Sequence, residues 1–255
     1  FLLQTAWMAN GKEQPSGWFF PLLAHVLVHT AATAIIFAVL APAYVWMAAV
    51  DFVVHFAVDR AKGLLNRFFA PDPTRANPFA AGELPLVFTG AMDYWPNVDA
   101  VSWFASDILP ALRERFPALR LHIVGRSPAP AVQSLAGEAV NVTGTVPDVR
   151  PYLQHAAAVV APLRLARGIQ NKVLEAMAMA RPVVAAATCV KAITSDVQPG
   201  LQPADDAAGY VERVAALLAD RAAADAAGRS ARDFVLGAYS WDAHLSGLDR
   251  HLEAA

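Results

Sequence analysis

The hydrophobic pattern of the chain begins with a long apolar region. No Asp, Glu, Lys or Arg occurs between Glu13 and Asp51. The apolar run over residues 18–40 is long enough to cross a hydrocarbon layer of about 30 Å at about 1.5 Å per residue. Pro42 interrupts the run, and a second, shorter apolar stretch covers residues 43–58. The pattern predicts an α-helical membrane segment over residues 1–65 with about two transmembrane helices.

Basic residues follow the second apolar stretch closely. They are Arg60, Lys62 and Arg67. Loops rich in Lys and Arg are retained on the cytoplasmic side of a membrane. The sequence therefore predicts a contact with the lipid bilayer through residues 18–58 and a cytoplasmic location for everything that follows them.

After a proline-containing linker over residues 66–84, short apolar runs alternate with amphipathic helices. Strand-like runs are predicted at residues 86–90, 119–125, 140–144, 157–162 and 182–186. Helices are predicted at residues 99–116, 148–153 and 169–180, followed by two or three Ala-rich helices between 207 and 252. This alternation is typical of βαβ units with right-handed crossovers. It predicts an α/β, Rossmann-like parallel sheet over residues 85–255.

Charge and cysteine content narrow the function classes. The net charge is −2, and no basic stripe is present, which argues against a nucleic-acid-binding surface. The single cysteine, Cys189, excludes an intramolecular disulfide and is expected to be a small buried apolar side chain rather than a reactive thiol.

The stretch from Val159 to Ala186 carries the clearest chemistry. A predicted strand is followed by a loop with Gly168 and then by a helix beginning near residue 169. A helix N-terminus presents unpaired backbone N–H groups and the positive end of its dipole, so it favours a phosphate. Glu175 would lie where a carboxylate can accept both hydroxyls of a ribose. Lys172 shares its face and either contacts a phosphate or pairs with Glu175.

Four motifs extend this pattern: FTGAMDYWPNVDA, IVGR, VTGTVPDVRPYL and KVLEAMAMARPVV. In order and spacing they resemble the C-terminal, donor-binding domain of the family-4 retaining glycosyltransferases, which have the GT-B fold. Over residues 68–252 they are closest to the subgroup associated with exosortase and PEP-CTERM polysaccharide systems. The resemblance implies transfer of a sugar, with retention, from a nucleotide-diphosphate sugar to a polysaccharide or lipid-linked acceptor. It implies no cofactor besides that donor.

The resemblance also assigns roles to individual positions. It implies that Glu175 holds the donor ribose and that the backbone of Gly168, Ile169 and Gln170 lies at the diphosphate. Further implied donor-site positions are Gly90, Arg126 near the base or phosphates, Asp148 in the base pocket, Lys172 and Arg167.

The chain departs from the family pattern at two places. Arg167 stands where a second Glu is usual, and residues 91–97 lack the usual Arg and Lys after the first strand. Arg167 or Arg164 could replace a lost phosphate contact, although Arg167 could equally be a solvated loop charge. The N-terminal domain of a GT-B enzyme, about 150 residues, has no counterpart in residues 1–65. No catalytic residue can therefore be named.

Polar residues in the predicted membrane segment recur at a spacing of four. His25 and His29 form one such pair, and Asp51, His55 and Asp59 form another set. They resemble those of an uncharacterised family of small bacterial inner-membrane proteins, a resemblance that implies a location but no activity. Pairing between helices, a metal or proton-handling site and interfacial positions without a role all remain open. No metal is expected, and His25, His29, His55 and Asp59 are the candidates should one bind.

Three functions are consistent with these observations. The first is a membrane-tethered sugar transferase whose soluble domain faces the cytoplasm. The second is a non-catalytic nucleotide-sugar-binding remnant or chimeric gene product, a reading to which the start at Phe1 without an initiator Met contributes. The third is a membrane transport or metal-handling protein whose soluble part is incidental.

Overall fold

A computed structural model of the chain describes residue 8 and residues 19–54, 56, 69–166, 168–196 and 198–239. It divides into two compact units, Phe1–Phe68 and Phe69–Ala255.

The first unit is helical in its described part. Helix α1 spans Phe19–Leu40, a 3₁₀ turn covers Pro42–Tyr44, and residues 47–54 and 56 are helical. Within the described residues, α1 is the one helix long and apolar enough to cross a membrane, judged by length and composition. Part of the second predicted transmembrane helix lies outside the described residues, so it stays a prediction.

The second unit is built on a six-stranded sheet in which every pair is parallel. The strands are β1 (Leu84–Thr89), β2 (Leu119–Val124), β3 (Val140–Gly144), β4 (Ala158–Ala161), β5 (Val183–Ala185) and β6 (Leu201–Pro203). Their order is β3-β2-β1-β4-β5-β6. The five strands predicted from apolar runs are confirmed, and the predicted Rossmann-like sheet is the observed fold.

Helices connect the strands. They are α2 (Trp95–Trp103), which continues through a π-helical stretch (Phe104–Ile108) into α3 (Leu109–Arg115), then α4 (Pro130–Gln133), α5 (Arg150–His155), α6 (Asn171–Ala178), α7 (Ala187–Ile193), α8 (Ala207–Ala219) and α9 (Arg221–Tyr239). Cys189 is buried on α7, as expected of a small apolar side chain.

The strand order positions a crevice. The chain winds outward from β1 through β2 to β3, then crosses back to place β4 on the other side of β1. At this reversal the connections leave the carboxyl ends of neighbouring strands in opposite directions, and in open parallel sheets the resulting crevice is where ligands bind. Strands β1 and β4, which flank the reversal, are buried along nearly their whole length, as is typical of the central strands of a parallel sheet.

Residues 69–83 lie against α5 rather than extending freely. The Gln154 amide donates to the Asp72 carbonyl oxygen at 2.7 Å and accepts from the Asp72 N–H at 2.9 Å. His155 Nε2 hydrogen-bonds the Arg75 carbonyl oxygen at 2.9 Å. These bonds hold the segment that leads into β1 on the α/β unit.

Candidate functional site

A cleft of about 610 Å³ opens at the carboxyl ends of β1 and β2 and at the start of α6. Its lining residues are Thr89, Gly90, Ala91, Tyr94, Asn97, Val124, Gly125, Arg126, Thr145, Val146, Val149, Ile169, Gln170, Asn171, Lys172 and Glu175. The cleft therefore lies at the reversal of strand order, where the fold itself leaves an opening.

Two glycines make this arrangement sterically feasible. A Cβ on Gly125 would lie 1.7 Å from the carbonyl oxygen of Gly90. A Cβ on Gly90 would lie 2.7 Å from Asn97 Nδ2 and 3.0 Å from Lys172 Nζ. The contact at Gly125 is with backbone and excludes a side chain, whereas a Cβ at Gly90 would displace the ends of the Asn97 and Lys172 side chains. Glycine at residue 125 therefore lets the loops after β1 and β2 meet.

Lys172 is one of two basic residues that line the cleft, the other being Arg126. Its Nζ donates to Asn97 Oδ1 at 2.6 Å and lies 4.2 Å from the centroid of the Phe88 ring, a cation–π distance. Burial lowers the pKa of Lys172 to about 8, and the nearby Cys189 and Glu175 oppose that change. The ammonium is thus charged at neutral pH, but its protein neighbours do not fully offset the cost of burying that charge.

Glu175 lies one helical turn after Lys172 and lines the same cleft. Burial raises the pKa of its carboxyl group, and the charge of Lys172 acts in the opposite direction. The hydrogen-bond partner of Lys172 is Asn97 rather than Glu175. A carboxylate and an ammonium therefore face the cleft one turn apart, each available to a ligand.

Helix α6 begins later than the sequence predicted, at Asn171 instead of near residue 169. Gln170 is its N-cap, in an extended conformation and without a side-chain cap on the helix N–H groups. Gly168 has a φ of +67°, a left-handed conformation, and open space surrounds the position its Cβ would occupy. The turn at Gly168 delays the helix and aims its N-terminus at the cleft.

Most of the predicted donor-site positions converge on this cleft. Gly90, Arg126, Ile169, Gln170, Lys172 and Glu175 line it. Gly168 precedes Ile169 at the turn before the helix. Arg167 lies outside the described residues, so its assignment stays a prediction.

Two further predicted groups are held elsewhere. Asp148 accepts from the Arg150 Nε at 2.8 Å and from the Arg150 N–H at 2.9 Å, while its neighbour Val149 lines the cleft. That pairing lowers the pKa of Asp148. Arg164, a suggested substitute phosphate ligand, forms a two-bond ion pair with Asp99 and lies 5.2 Å from the Trp103 ring centroid.

Several lining residues had no role in the sequence analysis, and three of them carry polar side chains with notable surroundings. Asn97 is buried and bonded to Lys172. Tyr94 is exposed at the rim. The buried Thr89 hydroxyl has no hydrogen-bond partner among the described residues. The YWPN motif contains Tyr94 and Asn97, but no local pattern says that residue 97 turns towards a helix 75 positions later.

Exposed apolar side chains concentrate around the same opening. In the described part of residues 69–239, the exposed large apolar residues are Tyr94, Trp95, Leu165, Ile169 and Leu236. Of these, Tyr94 and Ile169 line the cleft, Trp95 follows Tyr94 in the chain, and Leu165 lies in the loop between β4 and α6. Such a patch beside a polar cleft is typical of a surface that contacts ligand or protein.

The polar residues of the first unit contact one another. The rings of His25 and His29 lie 4.7 Å apart, and Thr33 Oγ1 donates to Asp51 Oδ2 at 3.3 Å. In the described part of the chain, no group of three or more His, Cys, Asp or Glu side chains could hold a metal ion. His55 and Asp59 lie outside that part, so the metal-or-pairing question for this segment is not decided.

Several solved structures share the fold of this chain. HepE of Anabaena, solved with UDP and glucose, has a TM-score of 0.56 and 15% identity over 74% of this chain and 55% of that chain. Sucrose-phosphate synthase from Thermosynechococcus elongatus has a TM-score of 0.57 and 22% identity over 74% of this chain and 51% of that one.

A third structure matches along almost its whole length. The C-terminal domain of the group 1 glycosyl transferase LpcC from Francisella tularensis has a TM-score of 0.52 and 16% identity, covering 69% of this chain and 98% of the other. The chain thus spans about half the length of the full-length relatives and nearly all of an isolated C-terminal domain. No curated protein matches it.

The family comparison covers the α/β unit from just before β1 to the end of α8. The pattern of glycosyl transferases group 1 matches residues 83–220, more than half of the chain. That range contains every residue that lines the cleft. The chain belongs to the group 1 glycosyl transferase family.

Proposed function

We propose that the cleft binds a nucleotide-diphosphate sugar and that the chain is the donor-binding half of a retaining sugar transferase. The observation that carries this proposal is the meeting of a glycine-lined strand edge with the start of α6, where Lys172 and Glu175 face one cleft. A cation and helix N–H groups suit a diphosphate, and a carboxylate one turn further suits a ribose.

The lining residues divide into three regions in this proposal. The diphosphate lies at the start of α6, against the backbone of residues 168–170 and the ammonium of Lys172. The ribose hydroxyls donate to Glu175. The base lies towards Thr145 and Val149, with Arg126 between the base and the phosphates. Solved HepE with UDP and with UDP-glucose supports a uridine nucleotide as the first ligand to test.

The finer features of the proposal rest on the sequence. They are retention of configuration, a polysaccharide or lipid-linked acceptor, and membership of the exosortase-associated subgroup. Helix α1 and the basic residues after the second apolar stretch support an anchor in the bacterial inner membrane with the α/β unit in the cytoplasm.

A second candidate function is a nucleotide-sugar-binding module that does not transfer sugar. The groups assigned in the cleft, among them Lys172 and Glu175, serve binding of the donor, and none of them is assigned to activation of an acceptor. In this case the cleft holds the donor, but the groups that activate an acceptor are supplied by another polypeptide or not at all.

Calorimetric titration of the full chain, in detergent, with UDP tests donor binding. Glu175→Gln keeps the side-chain volume but removes the charge, and we expect it to weaken UDP binding about tenfold because a charge-assisted hydrogen bond becomes a neutral one. Glu212→Gln on the exposed face of α8 is the matched control and should leave binding unchanged. Absence of UDP binding, or equal affinity of both variants, would contradict the proposed site.

Turnover of UDP-glucose separates the two functions. We expect hydrolysis or transfer of glucose if the chain is a transferase, and we expect Glu175→Gln to lower that turnover together with the UDP affinity. Persistent UDP binding without turnover, in the presence of bacterial lipid acceptors, would favour the binding module.

A further inference from the structure

We propose that Asn97 is a positioning residue of this site, whose carboxamide aims the Lys172 ammonium at the phosphates of the donor and ties it to the loop after β1. The proposal rests on the proposed function and deepens it, because it assigns a role to a residue that does not itself carry charge.

The Asn97 carboxamide joins two parts of the site. The residue is 5% exposed and lies in the first turn of α2. Its Oδ1 accepts from Lys172 Nζ at 2.6 Å, and its Nδ2 donates to the Ala91 carbonyl oxygen at 2.9 Å. The same side chain therefore contacts α6 and the loop that follows β1.

Only one orientation of the amide satisfies both partners. An ammonium group can donate but cannot accept, and a carbonyl oxygen can accept but cannot donate. Asn97 must therefore turn its oxygen to Lys172 and its nitrogen to Ala91. An aspartate at this position would set a carboxylate oxygen against the Ala91 carbonyl, and an aliphatic residue would satisfy neither group.

The neutrality of Asn97 matters for the charge of the cleft. Burial disfavours the Lys172 ammonium, while the Phe88 ring, Glu175 and Cys189 favour it. A neutral acceptor stabilises the ammonium without cancelling its charge, whereas a carboxylate would form an ion pair and leave less positive potential for a phosphate. The carboxamide thus keeps Lys172 charged and its charge available.

The position of Asn97 also limits where Lys172 can point. The Asn97 N–H donates to the Tyr94 carbonyl oxygen at 2.9 Å, which anchors the residue at the start of α2. A Cβ on Gly90 would meet both Asn97 Nδ2 and Lys172 Nζ. The lysine is therefore confined between a glycine and an anchored amide, so its ammonium has little freedom to leave the cleft.

The experiment measures the titration of Lys172 directly. Four lysines are present in the chain, so ¹³C-lysine labelling of the full chain in detergent gives few signals, and Lys172→Met assigns the one that matters. We expect Asn97→Leu to lower the pKa of Lys172 by about one and Asn97→Asp to raise it by about one, since an acceptor is removed or replaced by a charge. Asn141→Leu, which removes a half-buried amide from another cluster, is the matched control and should leave the pKa of Lys172 unchanged.

UDP affinity, followed between pH 6.5 and 9, gives the functional readout. We expect both Asn97 variants to weaken UDP binding about tenfold at pH 7. In the wild type the affinity falls as the pH rises through about 8, where Lys172 loses its proton. This pH-dependent loss of UDP affinity should move to lower pH in Asn97→Leu and to higher pH in Asn97→Asp. A purely structural defect would not move it in opposite directions.

The outcomes separate this inference from the proposed function. Wild-type protein that binds no UDP overturns the proposed function and the donor role of Asn97 with it, while the titration still reports the contact. Wild-type binding with an unmoved Lys172 titration in both variants overturns the inference alone. Should Asn97→Leu not fold, the near-isosteric Asn97→Asp decides: an unchanged pH dependence of UDP binding contradicts the positioning role.

Discussion

Two buried polar clusters on this sheet differ in how completely their charges are partnered. In the first, His122 Nε2 bonds the Glu83 carboxylate and His122 Nδ1 lies 3.2 Å from Asn141 Nδ2, while the Phe79 ring packs at 4.6 Å. Burial lowers the pKa of His122, and the carboxylate of Glu83 acts to raise it. Both ring nitrogens have protein partners, so this cluster is complete without a ligand.

In the second, at the cleft, Lys172 has among the described residues one neutral hydrogen-bond partner and the face of one aromatic ring. Glu175 faces the same opening with its pKa raised by burial. Buried charge with incomplete compensation costs folding free energy and is retained where a ligand completes it. The first cluster is therefore expected to stabilise the fold, and the second has the groups that the proposed donor binding requires.

The largest change in stability is expected at Gly125, the glycine that lies next to Gly90 in the cleft of the second cluster. Gly125→Ala would place a Cβ against the Gly90 carbonyl, and because both atoms belong to the backbone or are fixed to it, we expect a loss of about 3 kcal/mol or more in the free energy of unfolding. Urea unfolding measures it. Gly137→Ala, with open space around it, is the control and should change stability by well under 1 kcal/mol.

Lys172→Met should affect stability and binding in opposite directions. We expect UDP affinity to fall about tenfold to a hundredfold, since a charge-assisted contact is lost. The folded-state pKa of about 8 lies below the ordinary 10.5, so burying the charged form costs stability below pH 8, and that cost disappears as the pH rises towards 10.5.

Lys172→Met should therefore raise the free energy of unfolding by about 1–3 kcal/mol over wild type at pH 7, and this difference should shrink above pH 8. Thermal or urea unfolding at pH 7 and pH 9.5 checks this, with the exposed Lys191→Met as control. A variant that is less stable at pH 7 would mean that Lys172 is a structural group like those of the first cluster.

Gly168→Ala tests the turn before α6. Its left-handed φ of +67° should cost an alanine about 1 kcal/mol, since the surrounding space is open and only backbone strain acts. Gly82→Ala, at φ +79° and also in open space, should cost the same. UDP affinity should fall only in Gly168→Ala; equal affinity in the two variants would separate the turn from the site.

The smallest change in stability is expected in the first cluster, at Glu83. Glu83→Gln retains a hydrogen bond to His122 but removes its charge, and we expect a loss of about 1 kcal/mol in stability at pH 7 with no change in UDP affinity. The exposed Glu138→Gln should change neither quantity. A weakened UDP affinity in Glu83→Gln would show that the two clusters are coupled.

Local sequence patterns were sufficient for most of the sheet. The apolar runs of β1 and β2 are buried along nearly their whole length, which is why their hydrophobicity predicted them. Strand β6 was not predicted because its one apolar residue, Leu201, is followed by Gln202 and Pro203, whereas the equally short β5 lies in a run of valines and alanines. Its pairing with β5 supplies the order that its own sequence does not.

Within the site, the sequence determined what is local: a strand, a left-handed glycine and a helix carrying a lysine and a glutamate one turn apart. Those features follow from backbone sterics and helical spacing, which act over a few residues. It also determined the family, because its motifs are ordered along the chain.

Only the tertiary structure decided which groups meet. Asn97 and Lys172 are 75 positions apart, Arg164 and Asp99 are 65 apart, and the Gly90–Gly125 contact joins two loops. Such contacts depend on the order of strands in the sheet and on the winding reversal at β1. Sheet order is set by packing of the whole domain rather than by any single segment, so the identity of the residue that holds Lys172 had to come from the fold.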